Sequence, residues 1–454
     1  MNATEGLNLE DILTNQEHLS AAIDTVWLLL TIFGIFIMQA GFLMLEAGAV
    51  SANQTRTIMM KNICDGSIGA IGWYLIGNYL YCGNSPFEDT TENFVGWFQS
   101  YVFAITTCTI VSGGVACRIK LIPYLIYSIL LCSWIYPVIA RWCWGSGEWL
   151  TELGYKDFAG SGPVHLIGGV SAGVGAFCIK PRAHRFTLEG KDASPPMSSE
   201  PLAVLGMFIL WFGWFSFNSG SSAAMDPESM ALAIRAAMNT LIGSSCAAIT
   251  GVVLALSLKK NAVTPTLINS ILGGLVCVTG GCAFFNTWSA ALLGFISPFF
   301  TMAASDLLVK YLIDDPLDAF AVHGMNGFIG VLALGLFDRT DGLLISGDTT
   351  LFIAQLVGAG FQVVWSGLHA FLFFYVLGKF VSMRASADEE MVGLDSKYFD
   401  QYQETQLDNH AIRVHTETKA AMSRLKNKHN DHAVSSSKGS EAHKIAIGSA
   451  KPAN

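Results

Sequence analysis

Eleven long apolar stretches constrain this chain more than any other feature of its sequence. Each is near or above 18 residues, the length at which an apolar run becomes a candidate transmembrane helix. Because unpaired backbone groups are costly in lipid, such runs are expected to cross the membrane as helices. The predicted limits of the spans are 25–48, 58–82, 94–116, 121–143, 162–181, 201–220, 228–257, 262–281, 286–312, 319–337 and 350–381.

The amino-acid composition excludes a soluble globular protein. Charged residues make up 13% of the chain and hydrophobic residues 52%, whereas an average soluble domain is about 25% charged. The 45 glycines suit a membrane bundle, where small residues let helices approach closely. The net charge of −9 gives no indication of nucleic-acid binding, which would need a basic cluster. We therefore predict an all-α polytopic protein in a lipid bilayer, with no enzyme activity, no cofactor and no nucleic-acid partner.

The ten cysteines do not form a metal-binding pattern. Most lie within apolar runs, where a cysteine acts as a small hydrophobic residue. No CxxC pair or Cys/His spacing predicts a metal site. Cys82 and Cys143 lie near the ends of spans and could form a disulfide if both face the outside.

The distribution of Lys and Arg predicts the orientation of the chain. The first 55 residues contain neither, so we place the N-terminus outside. The outer loops then carry only Arg141, Lys156 and Arg339, whereas the inner loops carry Arg56, Arg118, Lys120, Lys180, Arg182, Arg185, Lys191, Lys259, Lys260 and Lys310. With eleven spans, the tail, which holds 10 of the 26 Lys and Arg, also lies in the cytoplasm.

The chain divides into three regions. Residues 1–24 are an extracellular segment, 25–382 form the membrane domain, and 383–454 form a soluble cytoplasmic tail with Ser-rich stretches. Asn2 begins an Asn-X-Thr triplet and is a candidate glycosylation site if the N-terminus is outside. The plasma membrane is the expected location, with an endosomal or vacuolar membrane as the alternative.

An internal repeat relates the fifth and tenth spans. His165 follows Asp157 by eight residues, and His323 follows Asp315 by eight residues, so the copies are 158 residues apart. Five spans separate them, and the second copy must therefore cross the membrane in the opposite sense. This predicts an inverted 5+5 repeat plus one extra helix, an architecture that places a transport site near the midplane.

The repeat places two histidines at matching depth. Eight helical residues rise about 12 Å, and the hydrocarbon core is about 30 Å thick, so each histidine lies near its centre. Intramembrane ionisable residues are functional candidates, and neutral imidazoles offer donors and acceptors without a fixed charge. His369 in the eleventh span has no repeat partner, and we expect it to be an ordinary buried histidine.

Five motifs identify a family. They are DFAGSGPVH at 157–165, DDPLDAFAVHG at 314–324, AGFLMLEAG at 40–48, Lys61-Asn62 with Asp65, and WFGWFSFNSGS at 211–221. Together they resemble the Amt/Mep/Rh ammonium transporters, in particular the eukaryotic Amt/Mep branch, over roughly residues 22–395. The resemblance implies a homotrimer with one pore per subunit and ammonium, ammonia or methylammonium as substrate.

The resemblance also assigns roles to single residues. His165 and His323 are expected to face each other along the pore, with Phe103 and Phe217 as a stacked gate outside them. Trp144 and Ser221, bordered by Phe103, match an external recruitment site, where a cation over an indole gains roughly 0.5–2 kcal/mol. Carboxylates at helix starts are expected to be structural, because they bind unpaired N–H groups there. They are Asp157, Asp315 and Asp318.

These residues fit the physical problem of ammonium selectivity. Ammonium and potassium ions have nearly the same size, but only ammonium can lose a proton. A bare cation costs tens of kcal/mol to move into hydrocarbon in the Born limit, whereas a neutral polar molecule costs only a few. An apolar pore centre therefore favours ammonia over ions.

Two alternatives to ammonium transport remain open. An Rh-like channel for NH3 or CO2 would not need a recruitment site for a cation, and an ammonium sensor would signal through the tail.

The sequence departs from the family pattern at three places. They are Ala116-Cys117-Arg118, where Ala-Glu-Arg is usual, Asn326, where Cys is common, and the residues after Asp395. We expect positions 117 and 326 to lie away from the pore chemistry.

Overall fold

The computed structural model describes residues 9–83, 91–183, 185–187, 189–257, 263–396 and 398–399. Asn2 lies outside these residues. Across the described ranges the secondary structure is helical, and β-pairing is limited to isolated bridges such as Ile119 with Arg384. The prediction of an all-α polytopic membrane protein is confirmed.

Each of the eleven predicted spans coincides with a helical segment. Nine of these segments in the described ranges are long and apolar enough to cross a membrane. The eighth is shorter, with 17 residues, and the second carries Arg56, Lys61 and Asp65. In chain order the segments are Leu9–Phe36 with Met38–Ala49, Thr55–Gly72 with Trp73–Gly77 and Asn78–Cys82, Thr91–Val115, Leu121–Leu130 with Leu131–Ile135 and Tyr136–Trp144, Ser161–Leu166 with Ile167–Ile179, Glu200–Ser219, Pro227–Ser257, Val263–Thr279, Thr287–Lys310, Phe320–Met325 with Asn326–Phe337, and Thr350–Phe371 with Leu372–Val376.

The first helix differs most from its predicted limits. It begins at Leu9, well before the predicted start at residue 25, and its axis is interrupted once, at Ile37. Residues before the apolar run, such as Glu17 and His18, are therefore helical and exposed. Hydropathy marks only the apolar part of a helix, because helix formation itself does not require apolar side chains.

Two ends of the bundle can be distinguished. Arg118 follows the third span and Trp144 ends the fourth, so they lie at opposite ends of an antiparallel pair. The Trp144 indole N–H donates to the backbone oxygen of Asp157, whereas the Arg118 guanidinium donates to the backbone oxygen of Asp314. The two repeat entrances therefore lie at opposite ends, which we call the Trp144 side and the Arg118 side.

A buried ion cluster fastens the loops on the Arg118 side. The Asp314 carboxylate accepts hydrogen bonds from the Arg182 guanidinium at 2.7 and 2.9 Å and from Arg185 Nε at 3.1 Å. Burial alone would raise the pKa of Asp314, but the bonds and charge of Arg182 lower it to about 2. Asp314 therefore stays ionised and ties the loop after the fifth span to the entrance of the tenth.

The beginning of the predicted tail packs on the same side. The Ala385 N–H donates to the backbone oxygen of Arg118, and the Asp395 carboxylate accepts the N–H groups of Arg56 and Thr57 at 2.9 and 2.7 Å. Asp395 thus satisfies unpaired donors at the start of Thr55–Gly72, where a carboxylate also complements the helix dipole.

The disulfide that the sequence allowed does not form. Cys82 and Cys143 are both free thiols; Cys82 is exposed and Cys143 is buried. Cys82 instead donates to the backbone oxygen of Asn78 in its own helix.

Candidate functional site

Both histidines lie in a short π-helical turn at the start of their span. His165 belongs to Ser161–Leu166 and His323 to Phe320–Met325. A π-turn is rare and commonly marks a functional site, since it widens the helix and redirects one side chain. The sequence repeat is therefore also a repeat of local structure.

Two glycines bring these turns together. A Cβ atom built on Gly169 would lie 2.0 Å from the backbone nitrogen of Gly324, which no side chain could tolerate. The fifth and tenth spans therefore touch through their backbones immediately beside the histidines. Such close approach is what small residues permit in membrane bundles.

The two imidazoles contact each other directly. His165 Nδ1 lies 3.2 Å from His323 Nδ1, and the ring centroids are 5.2 Å apart. One ring must donate and the other accept in this contact, so the neutral pair needs complementary tautomers. Since two cations at this distance would repel strongly, the pair can carry at most one extra proton.

His165 also has an unused polar atom. Its Nε2 is buried and has no hydrogen-bond partner among the residues that the structure describes. The ring stacks on Trp214, with centroids 5.0 Å apart, and Trp214 is fixed by its N–H bond to Thr279. Nε2 is thus positioned to bind one small polar molecule. Trp214 belongs to the motif at 211–221, but nothing in the sequence alone assigns it this packing role.

An aromatic column connects the histidine pair to the Trp144 side. Phe217 lies 5.5 Å from the His165 ring, and Phe103 stacks on Phe217 with centroids 4.3 Å apart. Trp144 meets Phe103 edge-on at 5.9 Å. Phe103 and Phe217 are buried and Trp144 is half-buried, so the two phenylalanines separate the half-buried indole from the histidines.

Asp157 positions the indole of Trp144. Its carboxylate accepts the N–H groups of Gly160 and Gly162 at 2.6 and 2.8 Å, and its backbone oxygen accepts the indole N–H at 2.7 Å. Gly160 has a φ of +105°, which favours glycine, and a Cβ atom built there would lie 3.4 Å from the Trp144 ring. The Ser221 hydroxyl is half-buried and donates to the backbone oxygen of Phe217.

The Arg118 side is open up to the second histidine. A cavity of about 700 Å³ is lined by His323, Phe42, Glu46, Asp315 and Asp318, among other residues. The Phe42 ring lies 6.4 Å from the His323 ring. The histidine pair therefore separates a closed aromatic column from a cavity whose mainly apolar wall carries several carboxylates.

The other two expected carboxylates line this cavity. Asp315 Oδ2 accepts the Phe320 N–H at 2.7 Å, which parallels the contact of Asp157 with the fifth span. Burial and the charge of Asp318 raise the pKa of Asp315 to about 7, and burial raises that of Asp157 to about 6. Asp318 accepts bonds from Asn269 and Ser305.

His369, the histidine of the eleventh span, is half-buried and lies apart from this arrangement. His369 Nδ1 lies 2.8 Å from the Trp365 backbone oxygen, and its Nε2 accepts the Trp134 indole N–H at 3.0 Å. Its contacts are with a tryptophan cluster and not with the column.

Asn326 corrects the expectation that position 326 lies away from the histidines. Its buried amide nitrogen donates to the backbone oxygens of Ala321 and Val322, inside the π-turn of His323, and to the Thr301 hydroxyl at 2.8 Å. A π-turn displaces backbone hydrogen bonds, and this amide supplies a replacement donor. Proximity to His323 in sequence was the only available signal, because the turn itself cannot be read from the sequence.

We expect Asn326→Leu to destabilise the protein by about 1–3 kcal/mol and to slow transport, because it leaves buried acceptors unsatisfied beside His323. Thermal unfolding of the purified protein and uptake into vesicles measure the two effects. Asn269→Leu, which removes a half-buried amide near Asp318, is the matched control. Equal losses in both variants would show that Asn326 has no special role at the histidine.

Comparison with known proteins identifies many relatives of one kind. A model described as Ammonium Transporter Family matches residues 26–404. Ammonium transporter Amt2 of Archaeoglobus fulgidus is 34% identical over 426 residues, which cover 87% of this chain and 90% of that protein. Ammonium transporter 1 member 3 of Solanum lycopersicum is 33% identical over 419 residues, which cover 82% and 91%.

Solved structures show the same fold. A structure described as "Sensor Amt Protein" has a TM-score of 0.79 and 29% identity, with 84% of this chain and all of that chain covered. The crystal structure of Saccharomyces cerevisiae Mep2 has a TM-score of 0.71 and 25% identity, with 81% and 88% covered.

Proposed function

Because the chain belongs to the ammonium transporter family and transports ammonium across a membrane, we propose that the aromatic column and the histidine pair form its conduction path. The observation that carries the proposal is the Nδ1–Nδ1 contact of 3.2 Å between two buried histidines, between the column and the cavity. On this proposal, ammonium binds at Trp144, loses its proton, and crosses the centre as ammonia.

Recruitment would use the Trp144 side. The indole face offers a cation–π contact, and Ser221 offers a hydroxyl oxygen whose lone pairs can accept an ammonium N–H. The stacked phenylalanines then exclude hydrated ions, since rotation of either ring opens only a narrow apolar passage. Asp157 holds the indole in place, and its charge favours a cation nearby.

The histidines would receive ammonia and the released proton. His165 Nε2, which has no partner among the described residues, can form a hydrogen bond with ammonia at the centre of the path. A proton can pass along the Nδ1–Nδ1 contact if both tautomers exchange. Ammonia then enters the cavity, where it binds a proton that has passed the histidine pair and becomes ammonium again.

The assembly and location are also proposals. The family resemblance supports a homotrimer with a pore in each subunit and methylammonium as a second substrate. The basic residues on the Arg118 side support a cytoplasmic position for that side, so Trp144 would face outward. The plasma membrane is then the expected location.

One experiment distinguishes ammonium transport from the two alternative functions, a gas channel and an ammonium sensor. The relatives are named transporters, which favours ammonium transport over a gas channel, while the similarity to a protein named "Sensor Amt Protein" supports testing a sensory role. Purified protein in planar or solid-supported membranes should give currents with ammonium and smaller ones with methylammonium, but none with potassium. Gas conduction without current, or no conduction at all, would contradict the proposal.

The proposed ammonium-binding site at Trp144 and Ser221 can be tested separately. Trp144→Leu with Ser221→Ala should weaken the apparent ammonium affinity about thirtyfold or less, because a cation–π contact and a hydrogen bond are each worth about 1 kcal/mol and about 1.4 kcal/mol corresponds to a factor of ten. The concentration dependence of the current measures this. Trp149→Leu, a more exposed tryptophan outside the column, serves as the control. An unchanged affinity in the double variant would remove the site from these residues.

A further inference from the structure

A buried carboxylate lines the same cavity as His323 and has no role in the path described so far. Glu46, on Met38–Ala49, is 2% exposed and lines the cavity that His323 also lines. It lies one helical turn beyond Phe42, whose ring contacts His323. Glu46 is therefore an acidic group that a proton leaving His323 can reach through the cavity.

Glu46 is held by neutral donors. The Ser112 hydroxyl donates to Glu46 Oε2 at 2.7 Å, and the Asn62 amide donates to the same oxygen at 3.1 Å. These bonds fix the carboxylate at the cavity wall. They do not neutralise it, because neither donor carries a charge.

Glu46, Asp65 and Lys61 form a buried cluster whose net charge favours the binding of one more proton. Lys61 is buried and acts electrostatically on two buried carboxylates, Glu46 and Asp65. With all three groups ionised, the cluster carries one surplus negative charge. An uncompensated buried charge is costly, so the cluster is stabilised by binding one cation, of which a proton is the smallest.

Of the two carboxylates, Glu46 is the one that meets the cavity. Asp65 accepts bonds from the hydroxyls of Tyr124 and Ser128 on its far side, and it is absent from the cavity lining within the described part of the chain. A proton arriving from the cavity therefore reaches Glu46 first.

We propose that Glu46 accepts the proton that leaves the histidine pair and releases it to the Arg118 side. The inference rests on the proposed function. An N–H bond of the protonated pair breaks at His323, and an O–H bond forms on Glu46 through water in the cavity. The Glu46 O–H bond then breaks, the proton joins water at the cavity mouth, and the carboxylate is restored. A cavity of about 700 Å³ has room for such water.

Other charged groups face the same space and will contribute to any pH dependence. Lys61 and Asp65 belong to the Glu46 cluster, and neighbouring helices add Cys108 and Tyr124 beside Asp65. The cavity wall adds Arg182, Arg185, Asp192, Glu200, Asp306, Asp315 and Asp318. These groups remain when only Glu46 is changed, so the difference between variants isolates Glu46.

The test compares Glu46→Gln with Asp65→Asn in reconstituted protein. Glutamine can still accept bonds from Ser112 and Asn62, and each variant removes one carboxylate from the same cluster. If Glu46 must release its proton to the Arg118 side, acid on that side should inhibit the wild-type ammonium current. We expect Glu46→Gln to lower this current at least tenfold and to abolish the acid inhibition. Asp65→Asn should keep that inhibition but move it to more acidic pH, because the Glu46–Lys61 pair that remains has no surplus negative charge. Glu46→Asp, which retains a titratable group, should also keep it.

Several results of this comparison would contradict the proposed role of Glu46. Glu46→Gln with wild-type current and pH dependence would overturn the inference, and so would equal effects of Glu46→Gln and Asp65→Asn, which indicate a structural cluster. An assembled Glu46→Asp protein without acid inhibition would also overturn it, even if Glu46→Gln fails to assemble. A wild-type protein that gives no ammonium current would instead contradict the proposed path.

Discussion

Potassium should pass through His165→Asp and His323→Asp variants, and this is the largest change in selectivity that we expect. Each substitution places a carboxylate at the contact between the two imidazoles. A charge pair at 4 Å interacts by about 4 kcal/mol at an effective dielectric constant near 20. Since about 1.4 kcal/mol corresponds to a factor of ten, ion passage should rise by orders of magnitude.

His165→Ala is the control for this result, because it removes the imidazole without adding a charge. It should leave potassium excluded and slow ammonium transport. Currents with potassium and ammonium in reconstituted protein distinguish the two kinds of variant. Correctly assembled Asp variants that still exclude potassium would move the filter to the stacked Phe103 and Phe217.

Asp314→Ala should produce the largest loss of stability, about 3–5 kcal/mol. Removing one partner of a buried ion pair leaves the other charge uncompensated; here Arg182 loses its carboxylate partner, and Arg185 keeps only Asp192. Thermal unfolding of the purified protein measures the loss. Asp341→Ala is the matched control, because its ion pair with Lys156 is exposed and exposed pairs contribute about 1 kcal/mol or less.

The effect of Asp314 should also depend on pH in a defined direction. Its pKa is about 2 in the folded protein, below the ordinary value of 3.8, so the ionised form stabilises the fold. That contribution is complete above about pH 4 and disappears as the pH falls toward 2. The stability difference between wild type and Asp314→Asn should therefore shrink over this range. A difference that stays constant down to pH 2 would contradict the ion-pair explanation.

The sequence alone determined the membrane architecture and the identity of the two histidines. Apolar runs reveal spans because lipid selects for them residue by residue, and each predicted span has a helix in the structure. The matched spacing of Asp157–His165 and Asp315–His323 is also a property of the sequence alone.

Other features depended on residues that are distant in the chain. The 3.2 Å contact of the histidines requires the Gly169–Gly324 approach and two π-turns, and backbone geometry of this kind leaves no periodic pattern. The contacts of Asn326 cannot be read from the sequence, because its partners are carbonyls freed by such a turn. The Asp314 cluster joins loops about 130 residues apart, and Glu46 shares a cavity with His323 although 277 residues separate them. Burial and charge compensation are properties of the assembled bundle, so only the tertiary structure could decide them.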